Sequence, residues 1–248
     1  MGNRIEEYRE ALRRVEDIEA FLLAESRLPG PRGNLELAQA VAEEGSAELF
    51  HHLRAFDAER APVNTPQEFL AFCGVLGLGR LIVEGETEAV AALRVHATDP
   101  RWRTREAVAM ALQRWGRDDP TGLMDEMQEW SRGSYLVQRA AVAALCEPSL
   151  LHDAAFVRRV LALLDSVTAA LAAAPAGDRR SDEFKALRKG LGYGWSVAVV
   201  ALPLEGKRAM TRWLQSTDKD VTWVMRENLK KARMGRMDAG WVAEAQQT

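Results

Sequence analysis

Apolar residues recur three or four positions apart along almost every long stretch of the chain, and no stretch sustains an apolar and polar alternation. A period of 3.6 buries one stripe of a helix and a period of 2 buries one face of a strand, so the pattern predicts an all-α protein. Helix starts are marked in the sequence. Thr65-Pro66-Gln67-Glu68 joins an N-cap, a proline at the first helical position and a capping-box glutamate, and Asp99-Pro100 and Asp119-Pro120 repeat the cap and proline. Breakers at Leu28-Pro29-Gly30-Pro31, Ala61-Pro62-Val63-Asn64 and Pro175-Ala176-Gly177-Asp178 separate the segments. Counting between breakers gives roughly a dozen helices joined by short connections. Positions 69–83 are apolar on nearly every face and hold Gly74, Gly77 and Gly79, which predicts a central helix crossed closely by its neighbours.

Composition fits that picture. With 248 residues, 47% hydrophobic, 28% charged and 9 prolines, the chain is expected to be soluble and globular rather than disordered. The opening MGNRIEEYREALRRVED is acid-rich and has no apolar centre, so it reads as a first helix and not as a signal or transit peptide. The uncharged run inside 165–178 is alanine-rich and contains Pro175, which makes it a helix and its end rather than a membrane span. Cys73 and Cys146 both sit in apolar helical runs, so free buried thiols in a cytoplasmic protein are expected.

Three segments align. DPRWRTREAVAMAL (99–112), SYLVQRAAVAAL (134–145) and DVTWVMRENLKKA (220–232) put Trp102, Tyr135 and Trp223 in one column and Arg105, Gln138 and Arg226 in another. In the first and third, Asp99 and Asp220 stand six residues before the arginine, and the first two are one helix pair apart. On these residues the chain resembles the HEAT-repeat family, over about two thirds of its length. The stretches 187–214 and 223–237 are also similar to the C-terminal part of uncharacterised bacterial HEAT-like proteins. The resemblance implies a right-handed α-solenoid of helical hairpins, with residues 1–60 as an acidic, irregular N-terminal cap and 61–248 as one continuous repeat array.

At about 100° per residue, Thr104, Val108, Ala111, Leu112 and Trp115 share the packed face of the first copy. Val137, Ala141, Ala144 and Leu145 do so in the second, and Met225, Leu229 and Ala232 in the third. Trp102, Tyr135 and Trp223 fall off these stripes. They either pack against the neighbouring repeat, with the arginines forming an aspartate ladder, or line an inner groove presented to a ligand.

Charge is uneven. Residues 1–100 carry 10 Lys and Arg against 18 Asp and Glu, whereas 101–248 carry 23 against 18. Between Lys185 and Arg236, 12 basic residues face four acidic ones, Glu205, Asp218, Asp220 and Glu227, and all seven tryptophans lie between 102 and 241. Basic side chains interleaved with flat rings suit a phosphate-bearing partner, although a solvated helix face has the same composition. The combination is similar to the HEAT-like alkylpurine DNA glycosylases, in which tryptophans, a catalytic aspartate and arginines share a concave surface. By that resemblance Trp102, Trp223, Arg105 and Arg226 supply the aromatic and basic parts. No aspartate stands in the catalytic context, and Asp125 in GLMDEMQEW reads as an exposed helix charge, so excision chemistry lacks its carboxylate.

Other chemistry is thinner still. His51, His52, His96 and His152 have no metal-ligand spacing, GLGYG at 190–194 follows a helical segment rather than a strand, and neither cysteine has a catalytic context. No catalytic residue, metal or cofactor is therefore assigned. The expected function is a non-catalytic scaffold that binds a protein through a concave surface carrying Trp102, Arg105, Tyr135, Trp223, Arg226 and Lys230. DNA binding or alkylated-base processing through the basic C-terminal part is the alternative. No membrane association is expected, and the oligomeric state is left open.

Overall fold

The computed structural model describes residues 2–247, with the side chains of positions 2 and 3 outside the description. It is all-α: fifteen α-helices and two short 3-10 turns, with no strand among the described residues. The excess over the dozen expected comes from short helices, such as those over Ala232–Met237 and Ala239–Ala245, whose one or two turns are too brief to display a period. The chain divides into two compact units, Met1–Asp118 and Asp119–Thr248.

The first unit holds α1 (Gly2–Leu12), α2 (Ile18–Glu25), α3 (Leu35–Glu44), α4 (Ala47–Arg54), α5 (Pro66–Val83), α6 (Glu88–His96) and α7 (Trp102–Asp118). Side chains of Asp17, Asn34 and Ser46 cap α2, α3 and α4 by accepting backbone N–H groups that have no partner inside the helix. Helix α5 lies at the centre and packs against α2, α3, α4, α6 and α7. It is long and apolar enough to cross a membrane by composition, yet 72% of it is buried inside the fold. Its glycines do what the sequence suggested. A Cβ at Gly74 would strike the Leu53–Arg54 backbone, one at Gly77 the Phe50 ring, and one at Gly79 the Ala111 backbone.

Two expected caps turn out differently. The Thr65 hydroxyl donates to the Pro62 carbonyl, while Glu68 accepts from the Asn64 N–H (2.7 Å) and from Arg103 (2.9 Å). Asp99 does not start α7. Its carboxylate is taken by the Arg101 backbone and guanidinium, and the helix begins at Trp102. In both places the carboxylate is engaged by a buried arginine, so it is bonded to a full positive charge rather than only to backbone N–H groups.

The second unit holds α8 (Pro120–Trp130), α9 (Tyr135–Leu145), α10 (Ala154–Ala172), α11 (Asp182–Ala201), α12 (Pro203–Leu214), α13 (Lys219–Leu229), α14 (Ala232–Met237) and α15 (Ala239–Ala245). Asp119 caps α8 with Pro120 behind it, as the sequence predicted. Only Leu202 separates α11 from α12, because Pro203 is tolerated at the first position of α12. Helices α9, α11 and α13 pack side by side, with α11 in the middle, and α8, α10 and α12 pack in sequence beside them. Buried Asn228 of α13 accepts from the Ser196 N–H and donates to the Leu191 carbonyl, which locks α13 to α11. Trp195 is fully buried and donates to the Thr168 hydroxyl at 3.0 Å. Both cysteines are free and buried.

Candidate functional site

A cavity of about 440 Å³ opens in the second unit, walled by Arg179, Arg180, Arg188, Lys219, Asp220 and Trp223. Local sequence explains its walls. The Pro175–Gly177 breaker ends the α10 segment, and the 3-10 turn Asp178–Arg180 that follows places two arginines beside the start of α13. Arg179 is fully engaged: it donates to Asp218 (2.7 Å) and Asp220 (2.9 Å) and to the carbonyls of Ala172 and Ala174 at the C-terminal end of α10. Its bond to Asp218 raises its pKa above the ordinary arginine value, with Asp220 adding to it. Burial pushes the Asp218 carboxyl up, but the Val221 N–H, Arg179 and the Asp220 N–H outweigh it and hold the group below the usual carboxylate range.

Asp220 is 2% exposed and lies between two guanidinium groups, because Arg188 also donates to it. Arg188 is in turn stacked over the Trp223 ring, 4.6 Å from its centroid, and its Nε is buried without an acceptor. Gly192 makes room for the indole, since a Cβ there would come within 3.1 Å of Trp223 Cζ3. Four cations thus meet two carboxylates, Asp218 and Asp220, which leaves two positive charges in excess. Tyr135 joins the same structure from α9. Its hydroxyl donates to Asp178 (2.9 Å) and its ring stands edge-on to Phe184 (5.6 Å). Burial, then the bond to Asp178, raises the phenol pKa.

The other residues singled out from sequence are placed elsewhere. Arg226 is exposed on α13, and Lys230 pairs with Glu227 on the helix surface. Neither walls the cavity. Six residues turn a helix through about 600°, so an aspartate inside the first turn and an arginine six later point to different faces. Asp220 lies within α13, and its partners are Arg179 and Arg188 instead of Arg226. Arg105 donates to the carbonyls of Asp99 and Pro100 at the entry of α7. The aligned rings also differ in helix position: Trp102 and Tyr135 are first residues of α7 and α9, and Trp223 is the fifth of α13. Of the expected stripes, Trp115 is only half-buried, and Ala232 is exposed because α13 has already ended.

Trp102 belongs to the first unit. It is 48% exposed, lies under the Arg103 guanidinium at 4.5 Å, and walls a second cavity of about 280 Å³ with Leu28, Leu35, Phe69 and Phe72. Arg179 and Arg180 were not anticipated, since they precede the basic stretch that drew attention. The signal that could have found them is an arginine pair directly after a helix breaker.

Nucleophilic thiol chemistry is disfavoured by burial, which raises the Cys73 pKa well above normal and that of Cys146 to about 12. Asp125 pairs with Arg159 on an exposed surface. No protein-family model matches the chain, and no curated protein matches it.

Proposed function

We propose that the chain is a non-catalytic, cytoplasmic scaffold of HEAT-like helical hairpins that holds an acidic protein partner on the α9, α11 and α13 side of its second unit. The observation that carries this reading is a continuous run of polar and aromatic contacts across those three helices. Tyr135 meets Asp178, Arg179 meets Asp220, and Asp220 meets Arg188 over Trp223. Side chains from successive helices forming one surface is how stacked hairpins bind their partners. The packing of α8, α10 and α12 beside that row supports a solenoid, and the excess positive charge supports an acidic partner.

The test is a titration of the full chain with an Asp- and Glu-rich peptide at low salt, followed by amide chemical shifts. Shifts clustered at 176–188 and 219–223, and lost in Trp223→Ala, are expected. Absence of shifts, or shifts confined to residues 1–118, rejects the reading.

A second reading, binding of duplex DNA, is favoured by the concentration of basic residues from 185 to 236. A salt-dependent gel shift weakened by Trp223→Ala and Arg226→Ala would support it. Base excision on such a surface finds little support, because Asp220, the carboxylate in the cavity wall, has both oxygens occupied by arginines.

A further inference from the structure

We propose that the cavity of the second unit takes a phosphate monoester in its dianionic form; this rests on the reading of that surface as the partner site and names the group it recognises. Charge comes first. Arg179 and Arg188 are balanced by Asp218 and Asp220, whereas Arg180 and Lys219 are exposed and pair with no carboxylate among the described residues. Two uncompensated cations on one cavity match one dianion. A monoester phosphate carries about −1.5 to −2 at neutral pH, whereas a carboxylate or a nucleic-acid phosphodiester carries a single charge.

Donor geometry points the same way. Arg188 is fixed on both sides, by Asp220 and by the Trp223 face, and walls the cavity in that pose. A guanidinium held in place before the ligand arrives loses little freedom on binding, and tetrahedral phosphate oxygens accept from several directions at once. Arg180 comes from the 3-10 turn and Lys219 from the first residue of α13, so the three donors reach the cavity from three separate elements. The volume of about 440 Å³ holds a phosphate together with the group that bears it.

The proposal also sets a pH signature that belongs to the ligand. No histidine occurs after His152. The carboxylates on the surrounding elements are Asp178, Asp182, Glu183, Asp218, Asp220 and Glu227; against the cost of burial, hydrogen bonds from the Val221 N–H and Arg179 hold Asp218 below the usual carboxylate range, and the bond from Lys230 does the same for Glu227. The second ionisation of a monoester, near pH 6, is then what changes between pH 7.5 and 5.5.

The experiment is calorimetric titration of the full chain with inorganic phosphate, a phosphoserine peptide, the same peptide with Ser or Glu at that position, a 5′-mononucleotide and duplex DNA. Expected are one shared site for phosphate and the phosphoserine peptide, affinity at least about tenfold above the Glu peptide, and a several-fold loss at pH 5.5. Arg180→Gln and Lys219→Gln are surface changes, and the double variant should weaken phosphate binding by about tenfold or more. Tighter binding of the mononucleotide than the phosphopeptide would assign a small-molecule source of the same monoester. Equal affinity for the Glu and phosphoserine peptides overturns the monoester while leaving the acidic-partner reading in place. PH-independent binding of DNA alone, or no binding of any ligand, overturns both.

Discussion

Arg103 of α7 donates to Glu68 of α5 at 2.9 Å, and the two side chains retain 7% and 0% of their exposure. Both are wanted by other groups as well: Arg103 also holds the Gly30 carbonyl, and Glu68 accepts the Asn64 N–H. The pair therefore ties the 28–33 loop and the start of α5 to α7, beside the cavity walled by Trp102. Glu68 Oε1, Arg103 Nε and the neighbouring Thr104 hydroxyl have no partner, so the desolvation of this pair is only partly offset.

Removing one member leaves the other as a lone buried charge. Arg103→Met is expected to cost about 3–5 kcal/mol in urea denaturation, and the double change Arg103→Met with Glu68→Leu to recover a large part of it. A single-variant loss below about 1 kcal/mol would show that water reaches the site.

Arg101 makes a different case. It is 1% exposed, forks onto Asp99, and its Nη1 reaches the carbonyls of Phe56 and Asp57. Lysine keeps the charge and loses the fork, leaving carbonyls or carboxylate oxygens buried without donors. Arg101→Lys is expected to lose about 2 kcal/mol or more, measured by the same denaturation. Equal stability would mean that the charge alone is what the site needs.

These arginines show where the sequence was legible and where it was not. Helix period, the central 69–83 segment and the Asp119-Pro120 start are local properties, and local spacing encodes them. Which member of RWRTR turns inward is decided by Phe56, Ala61 and Glu68, 35 to 45 residues away. The sequence drew attention to Arg105, two residues from the buried Arg103. Asp220 repeats the lesson: the alignment set it six residues before Arg226, while its partners come from 41 and 32 residues upstream. Trp223 and Tyr135 could be picked out because rings off a packed stripe stand out locally. The arginines that complete their surface come from a turn and another helix, and no spacing within the aligned segments contains them.

Close helix crossing leaves no room for a side chain at Gly79. A Cβ at Gly79 would overlap the Ala111 backbone of α7, which cannot swing aside as a side chain can. Gly79→Ala should destabilise by about 3 kcal/mol or more. Gly235 in α14 has open space around it, so Gly235→Ala should gain about 0.5 kcal/mol from helix propensity. Denaturation midpoints moving in opposite directions are the expected result, and a neutral Gly79→Ala would contradict the tight α5–α7 crossing.

Acid should loosen the docking of α1 on α3 through one carboxylate. Glu44 accepts from Arg13 (2.8 and 2.7 Å) and from Arg9 (2.7 Å), and its bond to Arg13, aided by Arg9 against the cost of burial, holds its pKa at about 2 instead of 4.5. A carboxyl whose pKa is lower in the folded state contributes stability that is complete above the unfolded value and is lost as pH falls towards the folded one. Glu44→Gln should therefore melt at a lower temperature than the parent at pH 7. The gap between the two should narrow from about pH 4.5 downward and close near pH 2. Thermal melts of both proteins across that range measure the gap directly, so that titration of all the other carboxylates cancels. A gap that stays constant to pH 2 would assign the loss to packing at position 44, and the pairing with Arg9 and Arg13 would then contribute nothing to stability.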